Sequence, residues 1–212
     1  MAEPVAGTVA GTVAAYPPVT VRRLGVADAE PYRAFRLTAL RETPTAFTSS
    51  HAEERDRPIA ATLARLADAE QGPGALLGAF DPDGTLLGTA GLRVGRRGQE
   101  RHKASLYGMA VARPAGGRGI GRALVDGVLA VAAEDGLLRQ VLLTVSEGNE
   151  PALRLYTACG FRVWGREPAA VLVDGRPVAK LHMIRPLGEA PDGDRPLGEA
   201  PDGDRPRPAA SG

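Results

Sequence analysis

Residues 106–124 read LYGMAVARPAGGRGIGRAL and decide the fold of this chain. An apolar strand ends near Val111, a turn rich in glycine follows, and a helix begins near Ile120. Glycines let successive backbone N–H groups point into one concavity, and the positive end of the following helix adds to the same field. The segment therefore predicts a cradle that binds a phosphate or pyrophosphate.

Three phosphate-binding patterns compete for these glycines. A nucleoside-triphosphatase loop ends in Gly-Lys-Ser/Thr, whereas residues 121–123 are Gly-Arg-Ala. A dinucleotide fingerprint that starts at Gly119 needs a third glycine where Leu124 stands. The third pattern, Gln/Arg-x-x-Gly-x-Gly/Ala, matches residues 116–121 except at its first position, which is Gly116. The third pattern fits best.

A second segment, residues 149–161, reads NEPALRLYTACGF and follows the apolar strand 141–145. The two segments resemble the hallmarks of the GNAT superfamily of acyl-CoA-dependent N-acetyltransferases, Arg/Gln-x-x-Gly-x-Gly and Asn-x-x-Ala-x-x-Leu-Tyr-x-x-x-Gly-Phe. The second hallmark matches at every specified position. The resemblance implies an α/β fold: a mixed, mostly antiparallel central sheet of about seven strands, with about four helices on both faces.

The periodicity of the chain predicts the order strand, two helices, three strands, helix, strand, helix, two strands. The two early helices are expected over residues 28–41 and 58–69, and the last two strands turn at Asp174-Gly175. We divide the chain into a flexible tail, 1–18, an N-acetyltransferase domain, 19–186, and a disordered tail, 187–212. The last of these follows from a Pro-, Gly- and Asp-rich decapeptide, RPLGEAPDGD, that occurs twice in tandem from residue 185.

The resemblance assigns the co-substrate, acetyl-CoA, to the cradle and to the strand before it. Backbone groups of Met109, Ala110 and Val111 would pair with the pantetheine arm. The cradle would bind the pyrophosphate through its N–H groups, and the Arg118 side chain could add a charge-assisted contact. The cradle comprises Gly116, Gly117, Arg118, Gly119, Ile120, Gly121 and Arg122.

Two residues of the second segment have both a chemical and a structural interpretation. Asn149 would hold the pantetheine by its amide, or it would cap the following helix, and one side chain can do both. Tyr156 is the expected general acid, because a phenol with a pKa near 10 can protonate a thiolate with a pKa near 8.5. Its alternative role is that of a core tyrosine.

The general base has no clear candidate in the sequence. The resemblance implies a glutamate on the fourth or fifth strand, but the fourth strand offers Ser105 and Tyr107 and the fifth Thr144, none of which is a strong base. The remaining candidates are Glu53, Glu54, Glu147, His102 and His182. A water chain could also replace a base.

The resemblance implies that the acetyl group moves to a primary amine by direct attack in a ternary complex. The acceptor stays open between a small amine or amino acid, an aminoglycoside-like compound and a peptide or protein α-amine. An alternative function is an acyl-CoA-binding sensor or partner-binding module, because Gly116 lacks the usual side chain and no base is evident.

Composition limits the other partners. A net charge of +1 argues against nucleic-acid binding, and no apolar run reaches the 18 or so residues of a membrane span. The single cysteine, Cys159, excludes an intramolecular disulfide, and the three histidines lack metal-binding spacing, so we expect no metal. The N-terminus lacks the features of a signal peptide, which favours a cytoplasmic protein. A homodimer remains open.

Overall fold

The computed structural model describes residues 17–188, so most of both predicted tails lies outside the described residues. The strands within this range are β1 Thr20–Arg23, β2 Ala75–Phe80, β3 Leu86–Val94, β4 Lys103–Val111, β5 Gln140–Ser146, β6 Arg162–Val173 and β7 Arg176–Pro186. The α-helices are α1 Ala29–Glu42, α2 His51–Asp56, α3 Ile59–Gln71, α4 Ile120–Glu134 and α5 Glu150–Ala158. Among these helices none is long and apolar enough to cross a membrane.

The seven strands form one sheet in the order β1-β2-β3-β4-β5-β7-β6. Every neighbouring pair is antiparallel except β4 and β5, which are parallel. The predicted mixed, mostly antiparallel sheet is confirmed. Strand β6 continues through two register shifts to the predicted turn at Asp174-Gly175.

Helix α2 lies between the two predicted early helices, 28–41 and 58–69, in a segment for which no helix is predicted. Ser50 and Glu53 form a capping box, in which the Glu53 N–H donates to Ser50 Oγ at 3.2 Å and the Ser50 N–H donates to Glu53 Oε2 at 2.8 Å. Residues 17–188 therefore contain five α-helices, one more than the predicted order contains.

The helices cover both faces of the sheet. Because side chains alternate along a strand, Leu77 and Ala79 of β2 pack in the cluster that contains α4, whereas Leu76 and Phe80 pack in the cluster of α1 and α3. Helix α4 buries the apolar face that its spacing predicts, at Ile120, Leu124, Val125, Val128, Leu129 and Ala132.

Strands β4 and β5 separate after a short parallel contact. They pair only over Lys103–Ser105 and Gln140–Leu142. Further along, the register between β3 and β4 shifts at a bulge, where Gly108 has φ +61° and its carbonyl accepts a hydrogen bond from Thr89 Oγ1 at 2.9 Å. One edge of β4, up to Val111, is thus left without a strand partner and faces a cleft.

Candidate active site

A cleft of about 1190 Å³ opens where β4 and β5 separate. Its walls come from the end of β4, the glycine turn, the end of β5, the start of α5 and the segment between α1 and α2. The cleft brings together most of the predicted site residues: Met109, Ala110, Val111, Gly116, Gly117, Gly119, Ile120, Gly121, Asn149 and Tyr156.

The glycine turn presents a row of backbone donors to this cleft. Gly119 is the N-cap of α4 with φ +75°, a conformation that costs little only for glycine. The first bond of the helix runs from the Ala123 N–H to the Gly119 carbonyl at 3.0 Å. Within residues 17–188, the N–H groups that meet no acceptor include those of Gly117, Gly119, Ile120, Gly121 and Arg122. Such a row at a helix N-terminus binds anions.

Three cradle residues already have hydrogen bonds elsewhere. The Gly116 N–H donates to the Arg113 carbonyl at 3.1 Å. The Arg118 side chain donates to the Pro17 carbonyl at 3.2 Å. The Arg122 guanidinium pairs with Asp126 at 2.7 Å. Neither of these two arginines lines the cleft, so the donors that the cradle itself presents to the cleft are backbone groups.

Asn149 is the N-cap of α5. Its Oδ1 accepts a hydrogen bond from the Ala152 N–H at 3.2 Å, which satisfies one of the free donors of the first helical turn. Asn149 also lines the cleft, and its Nδ2 has no acceptor among the described residues. The capping role is therefore present, and the amide donors remain available to a ligand.

Tyr156 is only 6% exposed, yet it contributes to the wall of the cleft. Its ring packs edge-on against Phe161, with 6.0 Å between the ring centroids. Burial raises the pKa of the Tyr156 phenol well above its usual value, and the neighbouring Cys159 thiol adds to the increase. The phenol is thus protonated throughout the neutral range and can only donate its proton there.

The glutamate candidates for a general base are engaged in other interactions. Glu54 is 4% exposed and pairs with Arg36 at 3.2 Å and Arg65 at 3.1 Å. Burial alone would raise the pKa of Glu54, but the two guanidiniums outweigh it and the net pKa is lowered. The Arg166 guanidinium, 2.7 Å away, lowers the pKa of Glu147 in the same way. The Glu53 carboxylate caps α2. All three carboxylates are therefore weak bases.

Of the two histidine candidates, only His182 lies beside the cleft. His102 precedes β4 at the end remote from the cradle. His182 does not itself line the cleft, but it is on β7 opposite Thr144 of β5, which does. The His182 Nε2 lies 2.8 Å from Glu167 Oε2. His182 is thus the one base candidate with a carboxylate partner at this position.

The cleft also contains Lys180, which no motif in the sequence indicates. Lys180 of β7 is 3% exposed, lines the cleft and donates from Nζ to the Ala46 carbonyl at 3.4 Å. Burial lowers the pKa of Lys180, against a smaller opposing effect of Glu167. The only signal in the sequence is the rarity of lysine: Lys103 and Lys180 are the two lysines among 26 lysine and arginine residues.

A cysteine nucleophile or a metal site would each suggest another kind of reaction. Cys159 is buried, and burial raises the pKa of its thiol, which makes it a poor nucleophile. Within residues 17–188 no three His, Cys, Asp or Glu side chains are grouped closely enough to hold a metal ion.

Known acetyltransferases resemble this chain in sequence and in fold. A mycothiol acetyltransferase of Salinispora tropica is 35% identical over 86 residues, which are 41% of this chain and 28% of that protein. The chain thus spans less than a third of the length of that relative. A GCN5-related N-acetyltransferase from Kribbella flavida has a TM-score of 0.69 and 29% identity, covering 80% of this chain and 98% of that one.

A further solved structure contains the co-substrate. It is a GNAT superfamily phosphinothricin acetyltransferase from Sinorhizobium meliloti in complex with acetyl-CoA, with a TM-score of 0.68 and 25% identity. The match covers 87% of this chain and 97% of that one. The profile of the acetyltransferase (GNAT) family matches residues 35–161, which include both the glycine turn and the α5 segment. This chain therefore belongs to the acetyltransferase (GNAT) family.

Proposed function

We propose that this protein transfers an acetyl group from acetyl-CoA to a primary amine by direct attack within a ternary complex. One observation carries the proposal. The free N–H row at α4, the unpaired edge of β4 and the Tyr156 side chain all border a single cleft. Family membership and the acetyl-CoA complex of the S. meliloti protein support it.

The pyrophosphate and the pantetheine arm of acetyl-CoA would each meet a complementary surface in the cleft. The pyrophosphate would accept hydrogen bonds from the N–H groups of residues 117–122, with Gly116 and the Arg118 side chain contributing less than the resemblance implies. The amide-containing pantetheine arm would pair with the free edge of β4 at Met109–Val111, as a strand pairs with a sheet edge. Asn149 Nδ2 would donate to the same arm.

The reaction then needs one proton donor and one proton acceptor. The neutral amine attacks the thioester carbonyl carbon, the C–N bond forms and the C–S bond breaks, and the attacking nitrogen releases one proton to water as the amide forms. Backbone N–H groups on the β4 edge would stabilise the oxyanion. The Tyr156 Oη would give its proton to the departing sulfur, so that coenzyme A leaves as a thiol. The tyrosinate would regain a proton from solvent before the next turnover.

We infer that His182 removes the proton of the acceptor amine. Amines with a pKa near 10 are almost fully protonated at pH 7, so a nearby base raises the fraction able to attack. Among the candidates, the three glutamates are committed to ion pairs or to a cap, whereas the His182 ring is oriented by Glu167. A water molecule could connect His182 to the amine.

The proposal is tested by measuring acetyl-CoA binding and thiol release side by side over a panel of amines. The panel includes small amines, amino acids, an aminoglycoside and a peptide with a free α-amine. Thiol release that depends on both acetyl-CoA and an amine supports the proposal. Tight binding without turnover across the whole panel would instead favour a sensor of acyl-CoA.

A further inference from the structure

Lys180 is a buried cation without an anionic partner. Its side chain is 3% exposed, and its hydrogen bond within residues 17–188 is the long one to the Ala46 carbonyl, at 3.4 Å. An ammonium group has three N–H donors, so two of them lack an acceptor there. A buried charge is costly unless it is paired, and the missing partner is therefore a group that enters the cleft.

The nearest carboxylate is already engaged. Glu167 stands opposite Lys180 in the β6–β7 register, and its charge acts on Lys180. Its Oε2 is nevertheless 2.8 Å from His182 Nε2, and no ion pair joins it to Lys180 among the described residues. A polar neighbour on the other side, Ser146, donates its hydroxyl to the Thr45 carbonyl. Glu167 and Ser146 therefore already have partners, and two N–H donors of Lys180 Nζ remain without an acceptor.

The position of Lys180 places it on the acceptor side of the reaction. It lies on β7 opposite Ser146 of β5 and beneath the Pro44–Ala46 segment, whereas the glycine cradle follows β4. The phosphates of acetyl-CoA would occupy the cradle. The group that meets Lys180 is therefore a part of the other substrate.

The charge of the cleft wall agrees with an anionic group on that substrate. The charged side chains that line the described cleft are Arg36, Arg65, Arg93, Arg113, Lys180 and Glu42. Glu54, just behind the wall, balances Arg36 and Arg65, and Glu42 lies near Arg113. Lys180 and Arg93 have no carboxylate partner among residues 17–188.

We propose that Lys180 binds a carboxylate of the acceptor, so that the preferred acceptor is an amino acid or another amine that carries a carboxylate. The proposal rests on the proposed acetyl transfer and names its substrate class. Two charge-assisted hydrogen bonds from Nζ would fix the carboxylate and hold the amine at a defined distance from it. The lowered pKa of Lys180 agrees with its lack of a charged partner before the acceptor binds.

The test compares each amino acid with its carboxamide, which has nearly the same shape but lacks the negative charge of the carboxylate. Phenylalanine, leucine, methionine and glutamine would be assayed against their carboxamides by thiol release. We expect kcat/KM of the wild-type protein to favour at least one acid by tenfold or more. In Lys180→Met this acid-to-amide ratio should fall by about 10- to 100-fold, mainly through KM. Lys180→Arg should retain part of the preference.

Lys103→Met is the matched control, because Lys103 is partly exposed at the start of β4 and pairs with Glu100 at 3.6 Å. The acid-to-amide ratio of kcat/KM in Lys103→Met should equal that of the wild type. Comparing ratios between variants cancels the different amine pKa values of acids and amides. A thermal melt checks that Lys180→Met is folded, and Lys180→Gln replaces it if it is not.

The outcomes separate this proposal from the one on which it rests. Thiol release without preference for any acid, or a preference that survives in a folded Lys180 variant, overturns the role of Lys180 and leaves acetyl transfer standing. An absence of thiol release with every acceptor overturns acetyl transfer, and the role of Lys180 with it.

Discussion

The Oδ1 of Asn149 accepts a hydrogen bond from the Ala152 N–H at 3.2 Å, and the same side chain borders the cleft. A single residue therefore begins the helix that carries Tyr156 and, in the proposed function, would donate its amide to acetyl-CoA. Substitutions that remove one of these two functions at a time can separate them.

Asn149→Asp should retain the cap and lose the amide donor. We expect Tm to stay close to that of the wild type, because a carboxylate also caps a helix, while acetyl-CoA affinity falls about tenfold. Asn149→Ala should lose both functions and destabilise the protein by about 1 kcal/mol. Calorimetric titration with acetyl-CoA and urea unfolding provide the two measurements. Unchanged affinity in a folded Asn149→Asp would exclude a contact with pantetheine.

The cradle should depend on backbone geometry more than on the arginine within it. Gly119 has φ +75°, so Gly119→Ala strains the N-cap of α4 and displaces the free N–H groups. Arg118 already donates to the Pro17 carbonyl. We expect Gly119→Ala to weaken acetyl-CoA binding more than Arg118→Ala does. Gly136→Ala, beyond the other end of α4, is the control, because a Cβ there meets nothing within 4 Å. If Arg118→Ala weakened acetyl-CoA binding more than Gly119→Ala does, the pyrophosphate would be bound mainly by the Arg118 side chain.

The buried Glu54 should make stability depend on pH. Its folded pKa is lowered, so its contribution is present above the unfolded pKa of about 4.3 and is lost as pH falls through the folded value. Glu54→Gln should cost about 3 kcal/mol in the free energy of unfolding at pH 7, because it leaves Arg36 and Arg65 unpaired. The difference from wild type should shrink below pH 4 in urea unfolding. Glu134→Gln, on an exposed side chain, should show neither effect. A difference that does not change with pH would contradict the ion-pair account.

If His182 is the general base, its replacement should change the pH dependence of kcat/KM. His182→Gln should lower kcat/KM near pH 7, and the deficit should narrow at high pH, where the acceptor amine loses its proton in solution. Glu167→Gln should reproduce part of the loss, since Glu167 orients the ring through a contact of 2.8 Å. His102→Gln is the control, because His102 lies before β4 at the remote end. A constant deficit at all pH values would indicate a structural role for His182.

Local sequence predicted those parts of the site that depend on neighbouring residues in the chain. The glycine turn specifies its own backbone and the start of α4, and Asn149 specifies the cap of α5 through a residue three positions away. The fold class and the family follow from these two segments. The cytoplasmic location, the homodimer and the tail boundaries stay predictions.

Sequence could not predict features that arise between distant segments. In the sequence Lys180 is a polar residue within a strand, and nothing near it predicts burial. It is buried because β7 pairs with β5 and the Pro44–Ala46 segment packs over it. Glu54 is buried because Arg36 of α1 and Arg65 of α3, both distant in the sequence from Glu54, form ion pairs with it. Helix α2 differs from these features, because the capping box of Ser50 and Glu53 is a local sequence pattern that predicts a helix start.

The most direct test of acetyl transfer with Tyr156 as general acid is kcat of Tyr156→Phe between pH 6.5 and pH 9.5, with the best acceptor from the amine panel. Phenylalanine keeps the buried ring and its edge contact with Phe161, so acetyl-CoA binding and Tm should not change. We expect kcat to fall about 100-fold at neutral pH, and the deficit to narrow above pH 8.5, where coenzyme A can leave as a thiolate. A wild-type kcat across this whole range would contradict the account.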